Sequence, residues 1–189
     1  MIARFFRRED ARRRLIETLH LRINEASRAP ALYADLGVPD SVEGRFEALC
    51  LHVILVLRRM RGLPDPASDV AQDLVNSVFL QLDAALRELG VGDFGVPKRM
   101  KKLGAAFYGR AEGYDAALDA GDMAALRAAL ARNVLGQDGA EHAPADAAGL
   151  AAYVRAAAEA LEGSDLDGLL EAGPRFPEPA AFKDSGVSA

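Results

Sequence analysis

Apolar residues recur at helical spacings of three and four along most of the chain, and no stretch keeps the alternation that a half-buried strand requires. Leu15, Ile16 and Leu19 predict an amphipathic helix running to about Ser27. Pro30 to Gly37 reads as a short helix ended by glycine. Asp40-Ser-Val-Glu43 is an Asp-x-x-Glu variant of the capping box and predicts the start of a long helix. Within that helix Phe46, Leu49, Cys50, Val53, Ile54, Leu57 and Met60 form one stripe. Leu51, Leu55 and Val56 add apolar groups off it, so the helix is expected to be buried on most sides. Arg58, Arg59 and Arg61 in its last turns complement the helix dipole.

A turn at 62–66 leads into a helix from about Ser68 to Leu89, whose stripe runs Val70, Leu74, Val78, Phe79, Leu82, Leu86, Leu89, with Gly90 as its C-terminal cap. Alanine-rich helices are expected near Asp122–Leu135, Asp146–Leu161 and Ser164–Glu171, each beginning at or near an Asp or Ser able to cap it. The expected fold is therefore all-α: a single compact multi-helix domain of about seven or eight helices. It divides into a basic N-terminal helix (1–27), a helical body (28–173) and a proline-containing tail (174–189), expected to be extended or disordered.

Composition narrows the function classes. The single cysteine, Cys50, excludes an intramolecular disulfide and a cysteine-rich zinc site, and its apolar surroundings suit a buried structural thiol. No secretory signal core and no stretch long enough to span a bilayer is present. The net charge of −5 conceals an asymmetry, because six arginines crowd residues 1–14 against Glu9 and Asp10. An acidic body argues against DNA as a partner, while local basic patches can still meet phosphate or an anionic membrane. Arg4, Phe5, Phe6, Arg7 and Arg8 are candidates for membrane docking. The same segment is similar to a mitochondrial targeting sequence, for which Glu9 and Asp10 are atypical, and the simpler expectation is a helix docked on the core with a solvated arginine face.

The densest chemistry lies in 90–110. Pro97 suits the first helical position. Beyond it Met100, Leu103, Phe107, Ala111 and Tyr114 fall within an arc of about 80°. Lys98, Lys101 and Lys102 lie opposite, with Arg99 on the shoulder. Cations at a helix N-terminus oppose its dipole, each by about 0.3–1 kcal/mol, while Glu112, Asp115 and Asp119 stand toward the other unfavourable end. With Gly92 and Gly95 nearby, the four cations describe an anion- or partner-binding corner, unless they simply pair with the acidic body. The segment is not a Walker loop. Gly104, Gly109 and Gly113 mark close backbone contacts or a break near Gly109.

No catalytic constellation emerges. His20, His52 and His142 are widely separated, so no metal site is expected, and His52 reads as a core or groove histidine. Asp115 and Asp119 share a face but read as a solvated pair. No cofactor is expected, and the chain is read as a non-enzyme.

Residues 89–103 (LGVGDFGVPKRMKKL), then Ala106-Phe-Tyr-Gly-Arg110, closely resemble the ubiquinol–cytochrome c chaperone family. So do residues 33–46 (YADLGVPDSVEGRF) and 51–59 (LHVILVLRR). The resemblance spans about residues 30–118 and is loose in the last third. It implies a compact, bacterial-type assembly factor for respiratory complex III that binds newly made cytochrome b or another complex III component. The family's mitochondrial members work with a small partner protein near the ribosome at the inner membrane. The implied location is cytoplasmic and peripheral on the inner face of the membrane, or the matrix side in a mitochondrion. Phe94, Tyr108 and Arg110 become client-contact candidates, and Lys98, Arg99, Lys101 and Lys102 anion contacts. The alternative is a peripheral lipid-binding helical protein without a protein client.

Overall fold

Helix α3 (Val42–Arg61) is the axis of the molecule, with Ala48 and the unbroken run from Cys50 to Val56 buried, together with Met60. A helix hydrophobic on most of its circumference must be covered on most of it, and α1 (Ile2–Ala26), α4 (Ala67–Glu88), α5 (Val96–Asp119) and α7 (Ala148–Glu162) all pack against it. The computed structural model describes residues 2–136 and 147–183, with side chains described from Asp10 onward. Among these residues there are seven α-helices and no strand.

The start of α3 differs from expectation by one residue. Ser41, not Asp40, is the cap, its Oγ accepting from the Gly44 N–H at 3.1 Å, while Asp40 accepts from Arg45 Nε at 2.7 Å. The chain enters so tightly that a Cβ on Gly44 would lie inside the van der Waals radius of the Pro39 carbonyl oxygen. The short α2 (Pro30–Ala34) precedes this entry. Helix α4 ends as its sequence predicts: Gly90 takes φ +79°, its N–H bonds the Arg87 carbonyl, and the Val91 N–H reaches back to Leu86, both at 3.0 Å. That pair of bonds is a Schellman motif, which needs a residue at ease with positive φ.

Helix α5 runs unbroken through Gly104, Gly109 and Gly113, so the expected break near Gly109 is not found. The buried face holds it: Phe107 and Tyr114 are almost fully enclosed, and Phe107 meets Phe79 of α4 edge-on with ring centroids 5.8 Å apart. Gly104 lies under Phe79, a close contact, whereas Gly109 and Gly113 face open space. Val96 precedes Pro97 as the first helical residue. Helix α6 (Met123–Asn133) begins at the expected cap, Asp122 accepting from the Ala125 N–H at 2.9 Å. Asp146, the other expected cap, and His142 lie outside the described residues, and α7 opens at Ala147 without a side-chain cap. The last expected helix widens into a π-helical turn at Gly168–Ala172.

The tail lies against the core as far as Lys183, non-helical up to Glu178. Phe176 meets the His52 ring edge-on at 4.8 Å, Phe182 meets Tyr153 at 5.8 Å, and Pro179 is buried at the head of a 3-10 turn, Pro179–Phe182. Two aromatic rings offset the disordering influence of the prolines around them.

Helix α1 is docked over the side chains described, with Ile16, Leu19, His20 and Ile23 buried against the rest of the molecule. Arg4, Phe5, Phe6, Arg7 and Arg8 belong to its first turns, and their side chains lie outside the described residues.

Candidate functional site

The turn between α4 and α5 is built from local parts. Beyond the Schellman cap, Asp93 accepts from Arg87 Nη1 at 2.6 Å, while Arg87 Nε holds Asp83 at 2.6 Å. The Gly95 and Val96 N–H groups both bond the Gly92 carbonyl, at 2.7 and 3.2 Å, so helical winding begins just ahead of α5. Phe94 stands in this turn with its ring wholly in solvent, and Leu89, five residues earlier at the end of α4, is 65% exposed.

Beyond the turn, Lys98, Arg99, Lys101 and Lys102 are all exposed. None of them has an acidic partner within 4.0 Å among the described residues. The simpler reading, in which these cations pair with the acidic body, is therefore not what the described residues show. Arginines elsewhere take those acids. Farther along the same outer side of α5 come Ala105, Tyr108 and Gly109, all exposed. The Tyr108 ring, 58% exposed, rests edge-on against Phe107 at 5.5 Å.

The acids toward the end of α5 have a tertiary explanation that the cations lack. Asp115 is buried rather than solvated. It accepts from Arg58 Nη1 at 3.4 Å and Arg61 Nη2 at 2.5 Å, and Asp119 accepts from Arg58 Nη2 at 2.5 Å. The hydrogen bond from Arg58 holds the Asp119 carboxyl below its ordinary pKa. The last turn of α3 and the last turns of α5 are thus tied by charge. The unfavourable dipole placement of the acids secures packing, and that of the lysines secures no contact among the described residues.

Arg110 does not join the exposed set. Its Nη2 lies 2.6 Å from Glu47 Oε1 of α3, with both side chains largely buried. Burial raises the Glu47 carboxyl pKa, and the Arg110 charge and hydrogen bond oppose that rise. The pair joins α3 to α5, so Arg110 packs between helices and does not stand exposed beside Tyr108. A nearby groove of about 570 Å³, lined by Leu55, Arg58, Arg59, Arg61, Asp119 and Glu162, escaped the sequence reading. Its arginines are engaged: Arg58 and Arg61 with the α5 acids, and Arg59 Nε with the Ser164 carbonyl at 2.6 Å.

No cluster of three potential metal ligands occurs among the described residues. No described helix is long and apolar enough to cross a membrane. Cys50 is buried, and desolvation pushes its thiol pKa up, away from the reactive thiolate. His52 lies fully inside the core.

Comparison with known proteins places this geometry. The family model described as ubiquinol-cytochrome C chaperone matches residues 34–176, extending through the alanine-rich last third where the motifs were weakest. Among solved structures, the chain is similar to the crystal structure of the Cbp3 homolog from Brucella abortus. The TM-score is 0.81 at 39% identity, over 95% of this chain and 98% of that one. No curated protein matches significantly.

Proposed function

The chain belongs to the ubiquinol–cytochrome c chaperone family, and from that premise we propose that it receives newly made cytochrome b, or another membrane-borne component of complex III, at the membrane surface. Family membership supports the coarser part of this reading, an assembly-factor role with a protein client in the complex III pathway. The outer side of α5 supports the finer part.

One observation carries it: Lys98, Arg99, Lys101 and Lys102 have no ion pair among the described residues and stand at the unfavourable end of a helix, whereas Arg58, Arg61 and Arg110 pair between helices. A face that opposes helix stability and makes no ion pair within the described residues is suited to an external partner. Ala105 and Gly109 continue it with little side-chain bulk beside the exposed Tyr108 ring, so a client segment can approach the helix backbone there.

The test is removal of the gene followed by measurement of cytochrome b and complex III activity. Loss of both, restored by the parent chain but not by one carrying Lys98→Glu, Lys101→Glu and Lys102→Glu, is the expected result. Normal complex III in the deletion strain would refute the assembly role. Full rescue by the triple variant would remove the α5 cations from it.

A further inference from the structure

We propose that the α4–α5 turn is a bilayer contact: Phe94 and Leu89 enter the headgroup region of an anionic membrane while Lys98, Arg99, Lys101 and Lys102 bind lipid phosphates around them. The inference rests on the proposed function only for its biological setting. Its chemistry stands on the turn itself.

The geometry commits to lipid rather than to a protein. Winding begins at Gly92, so Phe94, Lys98 and Lys101 follow one another at helical spacings of four and three on one side of the turn and helix. Phe94 is wholly exposed, and Leu89, five residues earlier at the end of α4, is also exposed. One aromatic ring offers about 150–250 Å², below the roughly 600 Å² that each partner buries at the low end of stable protein interfaces. An apolar wedge ringed by long cationic side chains suits an interface instead. Rings and leucines settle at headgroup depth, and lysines extend along apolar surface to reach phosphate.

Charge complementarity points the same way. The acids nearest the turn in sequence are Glu88, which is exposed, and Asp83 and Asp93, which share Arg87, so the four cations outweigh them and leave this end positive; Glu112 stands more than two turns along α5. The net charge of the whole chain is −5, so an anionic surface repels most of the molecule and attracts this end. That difference orients the molecule, with α5 rising from the membrane and Tyr108 above the lipid.

The chain contains no tryptophan, so Phe94→Trp creates a single reporter. Full-length protein is mixed with vesicles of phosphatidylcholine alone, or of phosphatidylcholine with phosphatidylglycerol. The expected result is co-flotation with the anionic vesicles only, with blue-shifted emission from Phe94→Trp. A control Val42→Trp, an exposed site at the start of α3, should be unshifted. Lys98→Glu, Lys101→Glu and Lys102→Glu together should weaken binding by more than about 100-fold, since each cation contributes roughly fivefold at an anionic surface. Three outcomes would overturn the proposal: no binding to anionic vesicles, binding unchanged by the triple variant, or binding with the Phe94→Trp emission unmoved. The last would place membrane contact elsewhere, for example on the N-terminal arginines. Failure here with loss of complex III in the deletion strain would leave the client reading standing and return the cations to an acidic protein partner.

Discussion

His52 and Tyr153, 101 residues apart in sequence, share a 2.7 Å hydrogen bond in the centre of the core. The other ring nitrogen sets its direction. Nδ1 lies 2.7 Å from the Ala48 carbonyl, which can only accept, so Nδ1 carries the proton and Nε2 accepts from the Tyr153 hydroxyl. The histidine is held neutral, and complete burial lowers its pKa from 6.5 to about 4.

Stability should therefore fall with acid before the carboxylates titrate. The unfolded chain takes up the proton near pH 6.5 and the folded chain only near pH 4. The contribution of His52 is complete above the first value and lost as pH falls toward the second. The slope is about 1.4 kcal/mol per pH unit, on the order of 3 kcal/mol in all. His20, also buried with a lowered pKa, adds in the same direction. Urea unfolding across this range checks the slope, and His52→Leu should flatten it. Tyr153→Phe, which leaves Nε2 without a donor, should cost about 1–3 kcal/mol, and adding it to His52→Leu should cost much less.

Arg110 and Lys98 should behave as opposites. Arg110→Ala strands the Glu47 carboxylate in the interior and should destabilise by about 3–5 kcal/mol. The stranded carboxyl then has a folded pKa raised further above its unfolded value. The deficit relative to the parent should shrink as pH falls toward 4.5, where protonation relieves the buried charge. A deficit constant with pH would mean that Glu47 reaches water when its partner is lost.

Replacing Lys98, Lys101 and Lys102 should not destabilise the fold, because each is exposed without an ion pair among the described residues. Thermal unfolding of the triple glutamate variant measures this directly. A stability gain is the expected sign, since carboxylates near the start of α5 favour its dipole. Complex III assembly should fall in the same variant, separating what the residues do for partners from what they do for the fold.

The glycines divide in the same manner. Gly109→Ala and Gly113→Ala, facing open space in a continuous helix, should each stabilise by about 0.5–1 kcal/mol. Gly44→Ala, whose methyl would overlap the Pro39 carbonyl, should destabilise by about 2 kcal/mol or more. Midpoints of thermal unfolding distinguish them. If the stabilised Gly109 variant also loses client capture, close approach to α5 is what that glycine preserves.

Local devices were legible in the sequence, and distant pairings were not. The stripe of α4 and the Gly90 cap can be read because periodicity and turn chemistry involve neighbours only. The same holds for the separation of Phe107 and Tyr114 from the lysines. The cap of α3 was placed one residue early because Asp40 and Ser41 are both competent caps, and Arg45 draws Asp40 away. Arg110 is not separable from the exposed set by sequence, because its partner Glu47 lies 63 residues away in the second turn of an apolar helix. Asp115 was read as solvated for the same reason, its arginines being at the far end of α3. The docking of the tail is not legible locally, because the two phenylalanines that anchor it have their partners on α3 and α7.

That tail sets an order of events during synthesis. A Cβ on Gly149 would lie 2.6 Å from the Phe182 carbonyl oxygen, so α7 and the closing turn meet backbone to backbone, and Lys183 reaches Asp35 just after α2 at 2.9 Å. The buried histidine of α3 meets its hydroxyl partner only after residue 153 has been made and its ring partner only after residue 176. A nascent chain cannot close its core while those residues are still inside the ribosome. The core around His52 therefore closes late, after α1 to α6 have already been made.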